Sequence, residues 1–213
     1  MDYSNIFLYH ITHINNLPNI VENKALLSYK QIKINNILNT SIAYISVQNH
    51  RQNTRISYPP YGNLHDYVPF YFAPRSPMLY AIYRHNVETY SGSQEQIIYL
   101  ITNVQNVIER NYNYIFTDKH AIVQYAKQFN DARDLEMAID WEIMRANYWA
   151  NTEDDGERKS RRQAEFLIYS HVDFNDIQQI VVYNEDMGNF VKRTLMNTAY
   201  ENKKIFVDPG FYY

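Results

Sequence analysis

The sequence predicts an α+β fold, mixed β-sheets flanked by helices, in a single domain spanning residues 1–213. Three observations lead there. Strand-like and helix-like segments follow one another without the regular βαβ alternation of a doubly wound sheet. Neither a GxGxxG nor a GxxxxGK[ST] phosphate loop occurs. No Pro/Gly/Ser-rich linker interrupts the 213 residues, a length sufficient to bury one sizeable core.

The elements follow in order. FLYHI (7–11) reads as a short strand, and Ile14, Leu17 and Ile20 then fall at near-helical spacing, predicting a helix to about Lys24. From Leu27 to Ser57 the chain is Asn-rich with no sustained period, so a long loop with room for one helical turn is expected, and such loops are usually functional. YVPFYF (67–72) has strand composition. Ser76-Pro77 then opens a helix through MLYAIYR, with serine as N-cap and proline at the first helical position. QIIYLIT (96–102) reads as a buried strand, VQNVIER as a short helix and YIFT (114–117) as a strand. Leu135, Ala138, Ile139, Ile143 and Ala146 recur three or four apart, predicting the longest helix, from Asp131 to about Ala150. EFLIYSHV (165–172) and IQQIVVY (177–183) are strands. A terminal helix to roughly Tyr200 and a last strand, KIFVD (204–208), complete the chain.

Composition excludes several classes. No run approaches the ~20 apolar residues that cross a bilayer. The N-terminus MDYSNIFLYH lacks the basic start and small-residue cleavage site of a secretory signal, and the absence of Cys excludes disulfides and thiolate metal sites. A cytoplasmic protein without membrane attachment is expected. The net charge of −3 does not suggest a nucleic-acid binder, but the charges are segregated: Glu153, Asp154, Asp155 and Glu157 directly precede Arg158, Lys159, Arg161 and Arg162. Tyrosine occurs 21 times, and its ring and hydroxyl suit a core as well as a surface that stacks flat ligands.

Metal and serine-hydrolase chemistry find little support. There is no HExxH, His10-x-x-His13 lacks a third ligand at a recognisable spacing, and no GxSxG elbow exists. Four other features stand out. His10 and Thr12 in YHIT point to one face of a strand and could grip one ligand together, although a capping threonine and a satisfied core histidine explain them equally. Arg51 and Arg55, near the end of the long loop, offer planar donor forks suited to a pyrophosphate, or simply a solvated face. DYVPFYFAPRSPMLY (66–80) sets proline-stiffened aromatics around one cation, Arg75, as a nucleobase platform or a half-buried edge strand would. Glu165 opens the apolar run FLIY, where a carboxylate is costly if buried unpaired and should be exposed, paired or employed.

Taken together, YHIT with the NL that follows it, the loop arginine, DYVPFYFAPRSPMLY and RRQAEFL resemble the DarT family of DNA ADP-ribosyltransferases, toxins of bacterial toxin–antitoxin pairs, over residues 6 to 208. The resemblance implies an ADP-ribosyltransferase fold and NAD as co-substrate without a metal. It also implies transfer of ADP-ribose to a base of single-stranded DNA, thymine favoured, with release of nicotinamide. A DarG-like macrodomain antitoxin is the implied partner. By position it makes Glu165 the catalytic carboxylate and Arg51 the catalytic arginine, and places His10, Thr12, Asn16 and Arg51 against NAD, with Arg55 the substitute if the loop aligns differently. Residues 30–50, where the family covers NAD, match too loosely for transfer, and Tyr44 is the only aromatic suggested there for stacking on nicotinamide. Tyr71, Arg75 and Met78, with a collar of Arg158, Lys159, Arg161 and Arg162, are expected to meet the DNA. A guanine-modifying enzyme, an RNA or protein ADP-ribosyltransferase, and a non-catalytic single-strand-binding module are the alternatives.

Overall fold

The computed structural model describes residues 2–213. In chain order the elements are β1 (Phe7–His13), α1 (Leu17–Glu22), β2 (Ala25–Leu27), α2 (Tyr29–Ile34), α3 (Ile45–Asn53), β3 (Tyr67–Tyr71) and α4 (Pro77–Tyr83). They continue with β4 (Ile97–Asn103), α5 (Val104–Glu109), β5 (Tyr114–His120), β6 (Gln128–Phe129), α6 (Leu135–Ala138), α7 (Trp141–Arg145) and α8 (Arg158–Arg161). Last come β7 (Ala164–Tyr169), β8 (His171–Asp173), β9 (Gln179–Val182), α9 (Glu185–Leu195) and β10 (Lys204–Val207). One sheet of eight strands runs in the order β10-β9-β4-β1-β3-β7-β5-β6, and β2 pairs separately with β8. Only β10 and β9 run parallel; the other neighbours are antiparallel.

Period-two alternation sends the side chains of β4 to two separate cores. Ile98 and Leu100 join the larger one, with Phe70, Phe166 and Ile168, while Ile97, Tyr99 and Ile101 join a second with Leu79, Ile82 and Tyr212. Every residue of β4 is buried, as a strand covered on both faces requires. The helix after Ser76 forms as its sequence dictates: the Ser76 hydroxyl accepts from the Leu79 N–H at 3.2 Å and Pro77 takes the first turn.

Three stretches differ from expectation. Residues 27–57 hold β2, α2 and α3, not one long loop. Ser28 caps α2, and α3 buries a single side chain, Arg51, so neither helix carries the apolar stripe that periodicity detects. The stretch 131–150 is not one helix. Ile139 is extended and Asp140 starts a new N-cap, its carboxylate accepting from the Ile143 N–H at 3.0 Å, so the apolar spacing is met by two short helices on either side of a break. The longest helix is instead α9, capped by Asn184, with Glu185 and Asp186 in its first turn and Lys192 and Arg193 in its last. Gly188 lets α9 lie close on the sheet, because a Cβ there would stand 3.3 Å from a Val207 methyl. The strand expected over 165–172 breaks at Ser170, whose φ of 65° turns the chain from β7 into β8.

Candidate active site

The sheet parts where β1 meets β3. The two strands share one register pair, Tyr9 with Tyr71, whereas β1 and β4 pair over seven residues. Proline at position 69 has no N–H to donate, and its carbonyl is taken by the Nδ1 of His10 at 2.7 Å. A side chain thus replaces the ladder, and beyond it the strands diverge into a cleft reached by His10, Thr12, Tyr44, Arg51, Tyr71 and Glu165.

Glu165 and Arg51 meet inside this cleft. Arg51 Nη1 donates to Glu165 Oε2 at 2.7 Å, with the carboxylate 2% and the guanidinium 10% exposed. The other carboxylate oxygen accepts the Ala121 N–H at 3.2 Å. Glu165 does not stand at a sheet edge, as an exposed carboxylate would, because β7 is flanked by β3 and β5. Burial at that position is tolerable because a charge and a backbone donor meet it. Arg51 arrives from α3, where Gln48 precedes it by three residues and the N-cap Tyr44 precedes Gln48 by four, and all three line the cleft. Its Nη2 is buried with no hydrogen-bond partner among the described residues. An unmet guanidinium donor beside a carboxylate is what a substrate oxygen would satisfy.

His10 and Thr12 both line the cleft. Burial foremost pushes the His10 imidazole down to about 4; the bond to Pro69 opposes the shift and the Arg51 charge reinforces it. At neutral pH the ring is uncharged, with Nδ1 protonated by its bond to a carbonyl and Nε2 left as an acceptor. Asn16 lines the cleft too, but its amide is already engaged. It donates to Thr12 Oγ1 at 2.9 Å and the Thr40 carbonyl at 3.0 Å, and accepts the Thr40 N–H at 2.8 Å, fastening the segment before α3 across the cleft. Tyr71 lies directly across the β3–β7 ladder from Glu165, and burial and that carboxylate's charge raise its hydroxyl above the usual tyrosine range. Met78 reaches the cleft from α4.

The remaining expected DNA contacts are placed differently. Arg75 does not line the cleft. It sits in the left-handed region at φ 54°, and its Nε donates to the Tyr212 carbonyl at 2.9 Å, which ties the turn before α4 to the chain's last residues. The four cations of 158–162 form no free collar. Arg158 donates to the Tyr148 and Ala150 carbonyls, Arg161 pairs with Asp140 and Asp155, and Arg162 is buried on the carbonyls of Pro74, Ile143, Met144 and Ala146. Alone among these cations Lys159 is exposed and lines the cleft. Proximity in sequence groups these cations, but Arg161 and Arg162 serve the broken helix of 135–146 and Asp155 of the acidic run, and Arg158 holds the chain just after that helix. Arg55, the substitute for Arg51, is exposed and outside the cleft.

Other cleft residues escaped the sequence reading. His120 faces Glu165 with Nε2 3.9 Å from Oε1, its pKa lowered first by burial while the Glu165 charge opposes the shift. Gln163 approaches the same ring, and Gln48 bonds His65 at 2.9 Å across the cleft floor. A detectable signal existed for Gln48, the helical spacing to Arg51, but the lack of an apolar face concealed the helix. His120 sits past an irregularity in the β5–β7 register, which strand periodicity does not reveal.

Comparison with known proteins bears on the family and the fold. Residues 9–213 match the model of the family described as DarT, ssDNA thymidine ADP-ribosyltransferase. A DNA ADP-ribosyl transferase of Thermus sp. (strain 2.9) is 42% identical over 188 residues, 88% of this chain and 86% of that protein. The structure of Thermus sp. 2.9 DarT in complex with ADP-ribosylated ssDNA superposes with a TM-score of 0.91 at 37% identity, covering 98% of this chain and 96% of that one. The same protein in complex with NAD+ gives 0.87 at 35% identity over the whole of both chains. A DNA ADP-ribosyl transferase-DNA ADP-ribosyl glycohydrolase fusion protein of Thermosipho africanus is 24% identical over 206 residues, 97% of this chain and 49% of the fusion. By the family match and by identity over most of its length, this chain belongs to the DarT family of DNA ADP-ribosyltransferases.

Proposed function

We propose that Arg51 and Glu165 are the catalytic pair with which this NAD-dependent DNA ADP-ribosyltransferase transfers ADP-ribose to thymine in single-stranded DNA, releasing nicotinamide. The observation that carries the assignment is the buried Arg51–Glu165 ion pair in the cleft, with one guanidinium nitrogen unmet. Breaking the bond from ribose to nicotinamide leaves positive charge on C1′ and the ring oxygen, and a preorganised carboxylate such as Glu165 stabilises it. The thymine nitrogen must also lose a proton, and Glu165 takes it in this reading, a role worth ~10²–10⁴-fold. Arg51 holds the carboxylate in position through its 2.7 Å bond and offers its second nitrogen to a substrate oxygen.

The donor set fits NAD. His10 Nε2 can accept from a ribose hydroxyl, Thr12 lies on the same strand face, and Tyr44 offers a ring at the start of α3. Asn16 acts on the co-substrate indirectly by holding the covering segment. Tyr71, across the ladder from Glu165, and Met78 on α4 both line the cleft, which supports a role for them in positioning the acceptor base. The fused glycohydrolase of the Thermosipho relative supports a DarG-like macrodomain antitoxin as partner, and a toxin acting on the cell's own DNA works in the cytoplasm. No helix among the described residues is long and apolar enough to cross a membrane.

The test is mass spectrometry of short DNA and RNA oligomers, each with a single candidate base, after incubation with protein and NAD. One ADP-ribose should be added to thymine-containing DNA. Addition to guanine, or to RNA in preference to DNA, would overturn the acceptor assignment.

A further inference from the structure

A second cavity, of about 590 Å³, shares no lining residue with the cleft. One wall is Thr54–Tyr58, which directly follows α3 and so lies just beyond Arg51; the other is the segment from Ala121 to Phe129. That second wall begins at the residue whose N–H holds Glu165 Oε1. Gln128 clamps the walls together, donating to the Arg55 carbonyl at 2.9 Å and accepting the Ser57 N–H at 2.8 Å. The cavity is therefore a built feature on the two segments that continue from the catalytic pair, not a groove between unrelated loops.

Its chemistry is unusual for this chain. Two cations, Arg55 and Lys127, line it with no aspartate or glutamate, although the protein as a whole is acidic. Both are exposed, and neither forms an ion pair with a described residue, in contrast to Arg161. Tyr58 adds a half-buried ring to the lining. Cations free to release counterions, beside an aromatic face, are what a single-stranded backbone requires, and the volume lies within the range of small-molecule sites.

We propose that this cavity is a subsite for a nucleotide flanking the acceptor thymidine, with Arg55 and Lys127 on its phosphates and Tyr58 against its sugar or base. The inference rests on DNA being the acceptor. It places the flanking nucleotide outside the cleft, next to the segments that continue from the Arg51–Glu165 pair, while NAD and the acceptor base meet inside the cleft. It also gives Arg55 a role distinct from the one its position near Arg51 suggested.

The experiment compares wild-type protein with an Arg55→Ala/Lys127→Ala double variant, measuring binding of a fluorescent thymidine-containing single strand and steady-state transfer over a salt series. The slope of log affinity against log salt should flatten by about 1.4, two contacts at ~0.7 each. The KM for DNA should rise at least about tenfold while the KM for NAD stays unchanged. Arg55→Lys/Lys127→Arg, which keeps both charges, should restore the slope. Thermal melting establishes that the variant is folded, as expected for two exposed side chains. An unchanged slope and DNA KM, with wild-type protein still modifying DNA, would overturn the subsite alone. Wild-type protein that modifies RNA or protein in place of DNA would overturn the acceptor reading and the subsite together.

Discussion

Two buried arginines, Arg51 and Arg162, are 8% and 5% exposed, yet they stand in opposite relations to their surroundings. Arg162 is met by four backbone carbonyls from two segments, and only its Nε lacks a partner. Arg51 meets one carboxylate oxygen and leaves a terminal nitrogen unmet. Carbonyls distributed around a guanidinium fix a fold, because those of Pro74, Met144 and Ala146 would otherwise be acceptors without a donor, only the Ile143 carbonyl having a second one in the Ala146 N–H. A lone carboxylate partner fixes charge and geometry at one point and leaves bonding capacity for a ligand. Burial alone therefore does not distinguish the two arginines, and each leaves one nitrogen unmet; what differs is the partner, four backbone carbonyls for Arg162 and one carboxylate in a cleft for Arg51.

The largest effect expected from this contrast falls on the cleft. Glu165→Gln should lower ADP-ribosyl transfer by ~10²–10⁴-fold. It also strips Arg51 of its counter-charge, and removing one partner of a buried pair costs ~3–5 kcal/mol. An Arg51→Met/Glu165→Gln double variant should recover much of that stability and none of the activity, read by thermal melting beside oligonucleotide transfer. Recovery of transfer in the double variant would show that the pair serves the fold, as Arg162 does.

Arg162→Met tests the other side. Leaving several carbonyls without a donor should lower stability by at least ~2 kcal/mol, because each buried unsatisfied group costs ~1–3 kcal/mol. Transfer per folded molecule and its dependence on salt should hold. A folded Arg162→Met protein with a flattened salt response would place the residue on DNA after all.

Much of this was legible in the sequence. Strands of continuous or alternating apolar residues, such as Ile97–Asn103 and Ala164–Tyr169, announce themselves because burial on a sheet has a fixed period. The Ser76-Pro77 helix start is legible because capping is local chemistry. His10, Thr12, Arg51 and Glu165 were singled out by residue type, and all four line one cleft. What remained hidden depends on contacts between segments far apart in sequence. The Asp140 cap is local chemistry that the apolar spacing of 135–146 masks, whereas no local pattern indicates that Arg162 would reach back to the Ile143 and Met144 carbonyls. The basic run 158–162 reads as a single surface, while its members separate by the direction in which each residue of α8 and its C-cap, Arg162, points.

That separation gives the smallest effects and the finest comparison, between Arg161 and Lys159 on α8. Arg161 is about a quarter exposed and pairs with two carboxylates that are themselves partly solvated, so Arg161→Ala should cost only about 1 kcal/mol. Its charge is offset locally, and a phosphate would have to displace Asp140 or Asp155 to reach it, so the salt response of DNA binding should not change. Lys159 carries no carboxylate partner among the described residues and lines the cleft beside Glu165. Lys159→Ala should therefore leave the melting temperature within error while flattening the slope of log affinity against log salt by ~0.7, one phosphate contact. Measuring both variants with one oligonucleotide separates the cases directly. Equal slopes for the two would mean that Lys159 does not reach the strand, and every cation of this run would then be structural or idle.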